Sequence, residues 1–191
     1  MKWQHVILTR FNLRSDGLVK DKNNRDTLTP AWYEERFRLF EDFCYPSVLG
    51  QRETNFHWLI FFDRSTPQEH LGRIHGYTRD LPEIRPVFLD GMERLPEGCR
   101  EEIRSLLEEG TTHVATTRLD NDDALARDFT AAVRSLAPCP EQGAALLDFI
   151  DGCSARIENG RIRFRRKRLA YGPFLTLIEP ADRTETVYSL R

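Results

Sequence analysis

Apolar residues fall along this chain in short continuous runs that alternate with stripes at helical spacing. His5 to Thr9 is apolar and partly β-branched, and it reads as a first strand. Residues 56–62 (Phe-His-Trp-Leu-Ile-Phe-Phe) form a near-continuous hydrophobic run that ends at Asp63, the pattern of a strand covered on both faces. Residues 85–89 give a third strand ending at Asp90, and residues 112–119 a fourth that leads into an acidic cluster. Residues 145–150 and the apolar stretch 172–180 are further strand-like segments.

Between these runs the spacing changes. Thr29-Pro30 supplies an N-cap and a first-turn proline, and Tyr33, Phe37, Phe40 and Cys44 follow on one face. Pro46 is expected to end or kink that helix. Thr66-Pro67-Gln68-Glu69 has the form of a capping box, which predicts a second helix. Cys99, Ile103, Leu106 and Leu107 share a face within residues 97–109, with Gly110 as the stop signal. Leu125, Phe129, Val133 and Leu136 share one within residues 124–136, closed by Pro138 and Pro140. Asn159-Gly160 between two alternating segments predicts a type I′ hairpin. The polar stretch 10–29, with Asn12, Asp16, Gly17, Asn23 and Asn24, is long for a connection and reads as a functional or mobile loop. Alternating strands and helices predict an α/β fold, a mostly parallel sheet with crossover helices and a C-terminal hairpin.

Composition narrows the classes. The chain has 191 residues, which fits one domain, residues 1–191. Its formal net charge is only -2, so no global charge draws it to nucleic acid or to a membrane. No apolar run approaches the ~20 residues that span a bilayer, and the first one is too short for a secretory leader, so a cytoplasmic location is expected. Cys44, Cys99, Cys139 and Cys153 lack metal-site spacing and read as buried free thiols. Trp3, Trp32 and Trp58 read as core. No P-loop, Gly-x-Gly-x-x-Gly or Gly-x-Ser-x-Gly sequence is present.

Chemistry concentrates where strands end. Asp63, Asp90 and the run Asp120-Asn121-Asp122-Asp123 would share the carboxyl edge of a parallel sheet, where ligands bind in such folds. Carboxylates crowded at one edge repel one another unless a cation is present. Two of them one residue apart suit Mg²⁺ or Mn²⁺ together with phosphate oxygens. The simpler alternative is that Asp122 or Asp123 caps a helix starting at Ala124.

Residues 116–125 (Thr-Thr-Arg-Leu-Asp-Asn-Asp-Asp-Ala-Leu) resemble the acidic motif of the bacterial rhamnosyltransferase family of GT-A-like glycosyltransferases. Other pieces match in the same order: Leu8-Thr9-Arg10-Phe11-Asn12, Arg38-Leu39-Phe40-Glu41, Pro46-Ser47-Val48 with Gln51, residues 58–63 with Thr66-Pro67, and residues 173–179. The resemblance covers nearly the whole chain. It implies a GT-A-like domain and a nucleoside-diphosphate-sugar donor such as dTDP-rhamnose. It also implies inverting transfer to a hydroxyl of a saccharide or lipid-linked acceptor, with Mn²⁺ or Mg²⁺ as cofactor. By the same resemblance Asp122 and Asp120 are the metal ligands, with Asp120 also near the ribose, and Asp123 assists or caps. Arg10, Asn12 and Asp63 meet the nucleoside, Arg118 neutralises the diphosphate, and Glu179 or Asp151 is the catalytic base. GT-A enzymes often complete the metal shell with a C-terminal histidine, yet His113 is the last histidine here. The expectation is a chain shortened at its C-terminus, or a shell completed by phosphate and water.

Two other functional classes compete with this reading. A nucleotidyltransferase is expected to carry a glycine-rich loop after the first strand, and residues 10–14 contain no glycine. A binding domain that keeps the donor pocket without turnover is the other. The basic run Arg161, Arg163, Arg165, Arg166, Lys167 and Arg168 reads either as a solvated hairpin face or as an anion site. An anion site would serve a phosphorylated or lipid-linked acceptor, or a membrane surface. Only Phe164 interleaves with these charges, which disfavours nucleic acid.

Overall fold

The computed structural model describes residues 2–15, 17, 20, 24, 26–79, 81–136 and 143–190. Asp16, Asn23, Pro138, Cys139 and Pro140 lie outside the described residues.

Strands β1 (Trp3–Arg10), β2 (His57–Asp63), β3 (Ile84–Leu89) and β4 (His113–Arg118) run parallel. β5 (Ala145–Leu147) and β8 (Thr176–Pro180) complete a six-stranded sheet in the order β3-β2-β1-β4-β8-β5. β8 is antiparallel to both of its neighbours. The two remaining strands, β6 (Asp151–Glu158) and β7 (Arg161–Arg168), form a separate antiparallel hairpin. The expected α/β architecture is therefore present, with a mostly parallel sheet and a hairpin, though the hairpin is inserted between β5 and β8 and is not C-terminal to the sheet. Asn159 and Gly160 have φ of 50° and 71°, the two positive values that a type I′ turn requires.

The apolar run of β2 is covered on both sides. Trp58, Ile60 and Phe62 pack into one core layer, and Leu59 and Phe61 into the other. The first layer receives α1 (Pro30–Leu39), α2 (Tyr45–Leu49), α3 (Gln68–Gly76) and α5 (Phe129–Leu136). The second receives α4 (Leu95–Leu106) and the C-terminal turn around Val187. Thr29 caps α1 by accepting from the Trp32 amide at 3.2 Å.

Three local expectations are corrected. Pro46 does not end the first helix. A π turn over Phe40–Cys44 widens it, with the Tyr45 amide donating to the Phe40 carbonyl, and α2 continues through the proline. Thr66 does not cap α3, whose N-cap is Pro67. Its hydroxyl donates instead to the Asp63 carbonyl and accepts from Asn12. The helix expected from Ala124 starts at Phe129. Tertiary hydrogen bonds hold the preceding segment open. Leu125 N–H donates to Ser47 Oγ, the Ala126 carbonyl accepts from Gln51 Nε2, and the Arg127 carbonyl accepts from the Arg52 amide. Gln51 Oε1 then takes the Thr130 amide and hydroxyl, so it serves the start of α5. A helix starting at Ala124 is absent, so neither Asp122 nor Asp123 caps one. Of the cysteines, Cys44 and Cys99 are buried as expected, but Cys153 is exposed.

Candidate active site

The carboxyl edge of the parallel sheet carries the acidic residues, and each of three arginines answers them. β1 delivers Arg10 to that edge, and Phe11 N–H donates to the Phe61 carbonyl, which keeps the following loop against β2. β4 delivers the acidic turn, with Leu119 N–H on the Leu8 carbonyl and Asp123 N–H on the Asp120 carbonyl. Asn121 locks the two together. Its Nδ2 donates to the Phe11 carbonyl at 2.8 Å, and its Oδ1 accepts from Arg36 Nη1 of α1 at 3.3 Å.

Arg36 Nη1 also lies 2.7 Å from Asp122 Oδ2, and Arg10 Nη2 lies 3.3 Å from Asp120 Oδ1. At the far side Arg14 bridges Asp63 at 2.9 Å and Asp90 at 2.7 Å. The crowding of like charges is thus relieved by guanidinium groups. Among the described residues, no group of three or more His, Cys, Asp or Glu is assembled to hold a metal. Asp120 and Asp122, the expected metal ligands, are each paired with an arginine instead. Beneath them Cys44 Sγ donates to the Asp120 carbonyl. Burial raises the Cys44 pKa far above the usual thiol range, and Asp123, Asp122 and Asp120 add to the effect, so this thiol stays protonated.

These residues border an open cavity of about 580 Å³. Arg10, Asn12, Trp32, Arg36, Asp120 and Asp122 are on its wall, and Glu35, Lys20 and Met92 extend it. Arg10 also lies over the Tyr188 ring at 5.2 Å, and Tyr188 itself donates to the Leu8 carbonyl. Arg36 lies over Trp32 at 5.5 Å.

Not every expected site residue reaches the cavity as a free group. Asn12 is there, but it is buried and fully bonded, with Nδ2 on Tyr33 Oη and Thr66 Oγ1 and its Oδ1 accepting the Asp63 amide. Asp63 is buried and off the cavity wall. Burial alone would raise its pKa. Hydrogen bonds from Ser65 and Arg14 outweigh that and hold the carboxyl below its ordinary range. Arg118 points away from the cavity, its Nε and Nη2 donating to the Pro173 and Gly172 carbonyls.

Glu179 sits beside Val114 near the opposite end of the sheet. Six residues separate Val114 from Asp120, roughly 20 Å of extended chain. Its two oxygens accept the Glu185 and Thr186 amides, and burial raises its pKa while those amides oppose the rise. Asp151 lies on the exposed hairpin near Arg168. Neither residue is brought to the cavity.

A comparison with family profiles answers what kind of chain carries this edge. The profile described as "Putative rhamnosyl transferase" matches residues 4–191. The chain belongs to this rhamnosyltransferase family. A comparison with curated proteins found no match. Among solved structures, the S. aureus protein TarS is similar over part of its length. TarS 1-349 in complex with UDP aligns at 15% identity with a TM-score of 0.42, covering 71% of this chain and 31% of that one. TarS 1-349 in complex with UDP-GlcNAc aligns at 16% identity and 0.40, covering 72% and 30%. This chain therefore spans under a third of the TarS fragment.

Within the rhamnosyltransferase-family chain, Trp32 and Arg36 are the site residues that sequence reasoning missed, together with the bridging role of Arg14. Their signal was present. Trp32, Glu35, Arg36 and Leu39 form a second stripe at helical spacing, one position off the core stripe of Tyr33, Phe37 and Phe40. Trp32 is partly buried: it packs against the core as expected and also lines the cavity.

Proposed function

We propose that this chain transfers a sugar, rhamnose by its family, from a nucleoside-diphosphate donor to a hydroxyl acceptor with inversion at the anomeric carbon. The fold is of the GT-A kind in this reading, and the donor is dTDP-rhamnose. The observation that carries the proposal is the set of paired charges on the cavity wall: Arg10 with Asp120, and Arg36 with Asp122, at the carboxyl edge of a parallel sheet.

The physical logic is an exchange of partners. A donor diphosphate brings two phosphate groups to the edge, and a guanidinium held by a carboxylate can turn to them with little rearrangement. Asp120 and Asp122 are then left for Mg²⁺ or Mn²⁺, with the diphosphate oxygens completing the set. A bound ion there would supply positive charge to the leaving diphosphate. Arg10 and Arg36 supply the same stabilisation from the protein, on the atoms where negative charge grows as the glycosidic bond breaks. Trp32 offers a flat apolar surface beside Arg36. Asn12, Asp63 and Arg14 act on the donor by holding residues 11–15 in place. With Asp120 and Asp122 given to the ion, the acceptor proton leaves to Glu35, the other acidic group on the cavity wall among the described residues.

The test is release of dTDP from dTDP-rhamnose with a panel of saccharide and lipid-linked acceptors, with and without Mn²⁺, followed by stereochemical analysis of the product. Acceptor-dependent release supports transfer. Donor binding without release across the panel identifies a silent binding domain, and formation of a nucleotide-sugar from a sugar phosphate identifies a nucleotidyltransferase.

A further inference from the structure

The β6-β7 hairpin is not part of the sheet that carries the cavity. Every residue of both strands except Glu158 is exposed. Residues directly opposite each other in an antiparallel pair share a face. The register pairs Ala155 with Phe164 and Ile157 with Ile162, which puts four apolar side chains on one face. Gly152 with Lys167, Ser154 with Arg165, Arg156 with Arg163 and Glu158 with Arg161 make the other face basic.

The charge is concentrated. Residues 151–168 hold seven basic side chains and two acidic ones, although the whole chain has a formal net charge of -2. Both acidic residues are engaged, Glu158 by Arg156 at 2.8 Å and Asp151 near Arg168 at 3.9 Å. Arg161, Arg163, Arg165, Arg166 and Lys167 have no ion-pair partner among the described residues. Protection of a strand edge would account for the charges alone. It does not account for Phe164 at 71% exposure beside Ile157 at 43% and Ile162 at 44%. Leu169 and Tyr171, at 59% and 76% exposed, continue the apolar surface just past β7. A two-stranded ribbon in water is at best marginally stable without cover.

We propose that this hairpin docks on an anionic lipid bilayer. The apolar face enters the headgroup and acyl boundary, and the basic side chains bind anionic headgroups around it. The ribbon is one chain thick, so the guanidinium groups of its far face stay within about a Debye length (~8 Å) of the lipid surface. Arg166 and Arg168 lie on the apolar side itself, next to Phe164. Charge complementarity selects this occupant. The same hairpin of a second copy, packed apolar face to apolar face, would set its own Arg166 and Arg168 against this pair and leave the basic face without a counter-charge. A nucleic acid would match the charges but leave Ile157, Ile162 and Leu169 without a role, and within the hairpin only Phe164 could stack. The inference does not depend on the donor reading of the cavity, and it places the chain where a lipid-linked acceptor resides.

The experiment is vesicle co-sedimentation of the full chain, with phosphatidylcholine vesicles against vesicles containing phosphatidylglycerol. Binding is expected to the anionic vesicles only and to weaken at least tenfold between 50 and 300 mM salt, on the order set by counterion screening. Ile157→Ser with Phe164→Ser, and separately Arg161→Gln with Arg163→Gln and Arg165→Gln, should each weaken it about tenfold or more while thermal unfolding of the main sheet is unchanged. Phe164→Trp gives an independent reading, a blue shift of its fluorescence on anionic vesicles only. The proposal is overturned by any of three results: no binding to anionic vesicles and no spectral shift, binding that neither variant weakens, or a concentration-dependent dimer that Phe164→Ser dissolves.

Discussion

His5 shows how a single buried side chain ties the sheet to pH. It is buried in the middle of β1, and its Nε2 lies 2.7 Å from Thr117 Oγ1, which in turn lies 2.6 Å from Thr176 Oγ1. Burial, with Arg134 adding to it, lowers the pKa of His5 from 6.5 to about 3. A base with a folded pKa below its unfolded value binds fewer protons when folded. Its neutral form is favoured above pH 6.5, and stability is lost as pH falls from 6.5 towards 3. The slope approaches ~1.4 kcal/mol per pH unit in that window. His5→Gln is therefore expected to be less stable than the parent at pH 7 and to lose less on going to pH 4.5. Urea unfolding at the two pH values measures the difference, and equal losses in both proteins would remove His5 from the account.

At the scale of elements, Gln51 holds the junction on which the acidic turn rests. It lies just after α2 and is buried, and its amide serves the Ser47 and Ala126 carbonyls on one side and Thr130 on the other. Gln51→Ala leaves those buried groups unpaired, at about 1–3 kcal/mol each before relaxation. The expected result is a loss of at least ~2 kcal/mol in chemical denaturation, with weaker donor binding because residues 124–128 carry the acidic turn. This junction also marks where sequence reading ran out. Leu125, Phe129 and Val133 are buried, but only Phe129 and Val133 share a helix and Leu136 is exposed, so half of the expected helical stripe holds. The spacing could not show that Ser47, Gln51 and Arg52 would claim the backbone of residues 125–127. Strands were more legible, since residues buried on both faces must be apolar throughout, as in β2. Asp120 and Asp122 were legible for a related reason, because an acidic run at a strand end stands out against such a pattern. Arg36 was not, since its partner Asp122 is distant in sequence. Arg118 was misdirected by adjacency, as its guanidinium turns to residues 172–173.

Across the whole molecule, the C-terminal segment closes back on the site from beneath. Glu179 takes the amides of Glu185 and Thr186, Thr186 sits at φ 73°, and Tyr188 then reaches the Leu8 carbonyl and lies under Arg10. A sequence alone cannot place that turn, because its contacts join the last residues to the first strand. If Glu179 holds the turn, Glu179→Gln should lower thermal stability and weaken donor binding, with kcat falling in step with the loss of folded, donor-competent protein. A loss of kcat by two orders of magnitude or more with donor binding intact would restore Glu179 as the base. The proposed transfer requires that one edge of one sheet receive a diphosphate. Titration calorimetry of the full chain with dTDP-rhamnose, with and without Mn²⁺, tests that most directly. The account predicts binding that Mn²⁺ strengthens, that Asp122→Asn makes insensitive to the ion, and that Arg36→Met weakens by about 10- to 100-fold, the worth of one charged hydrogen-bonding group. Absence of binding by any nucleoside diphosphate sugar, or Mn²⁺-dependent binding unchanged in Asp122→Asn, would contradict it.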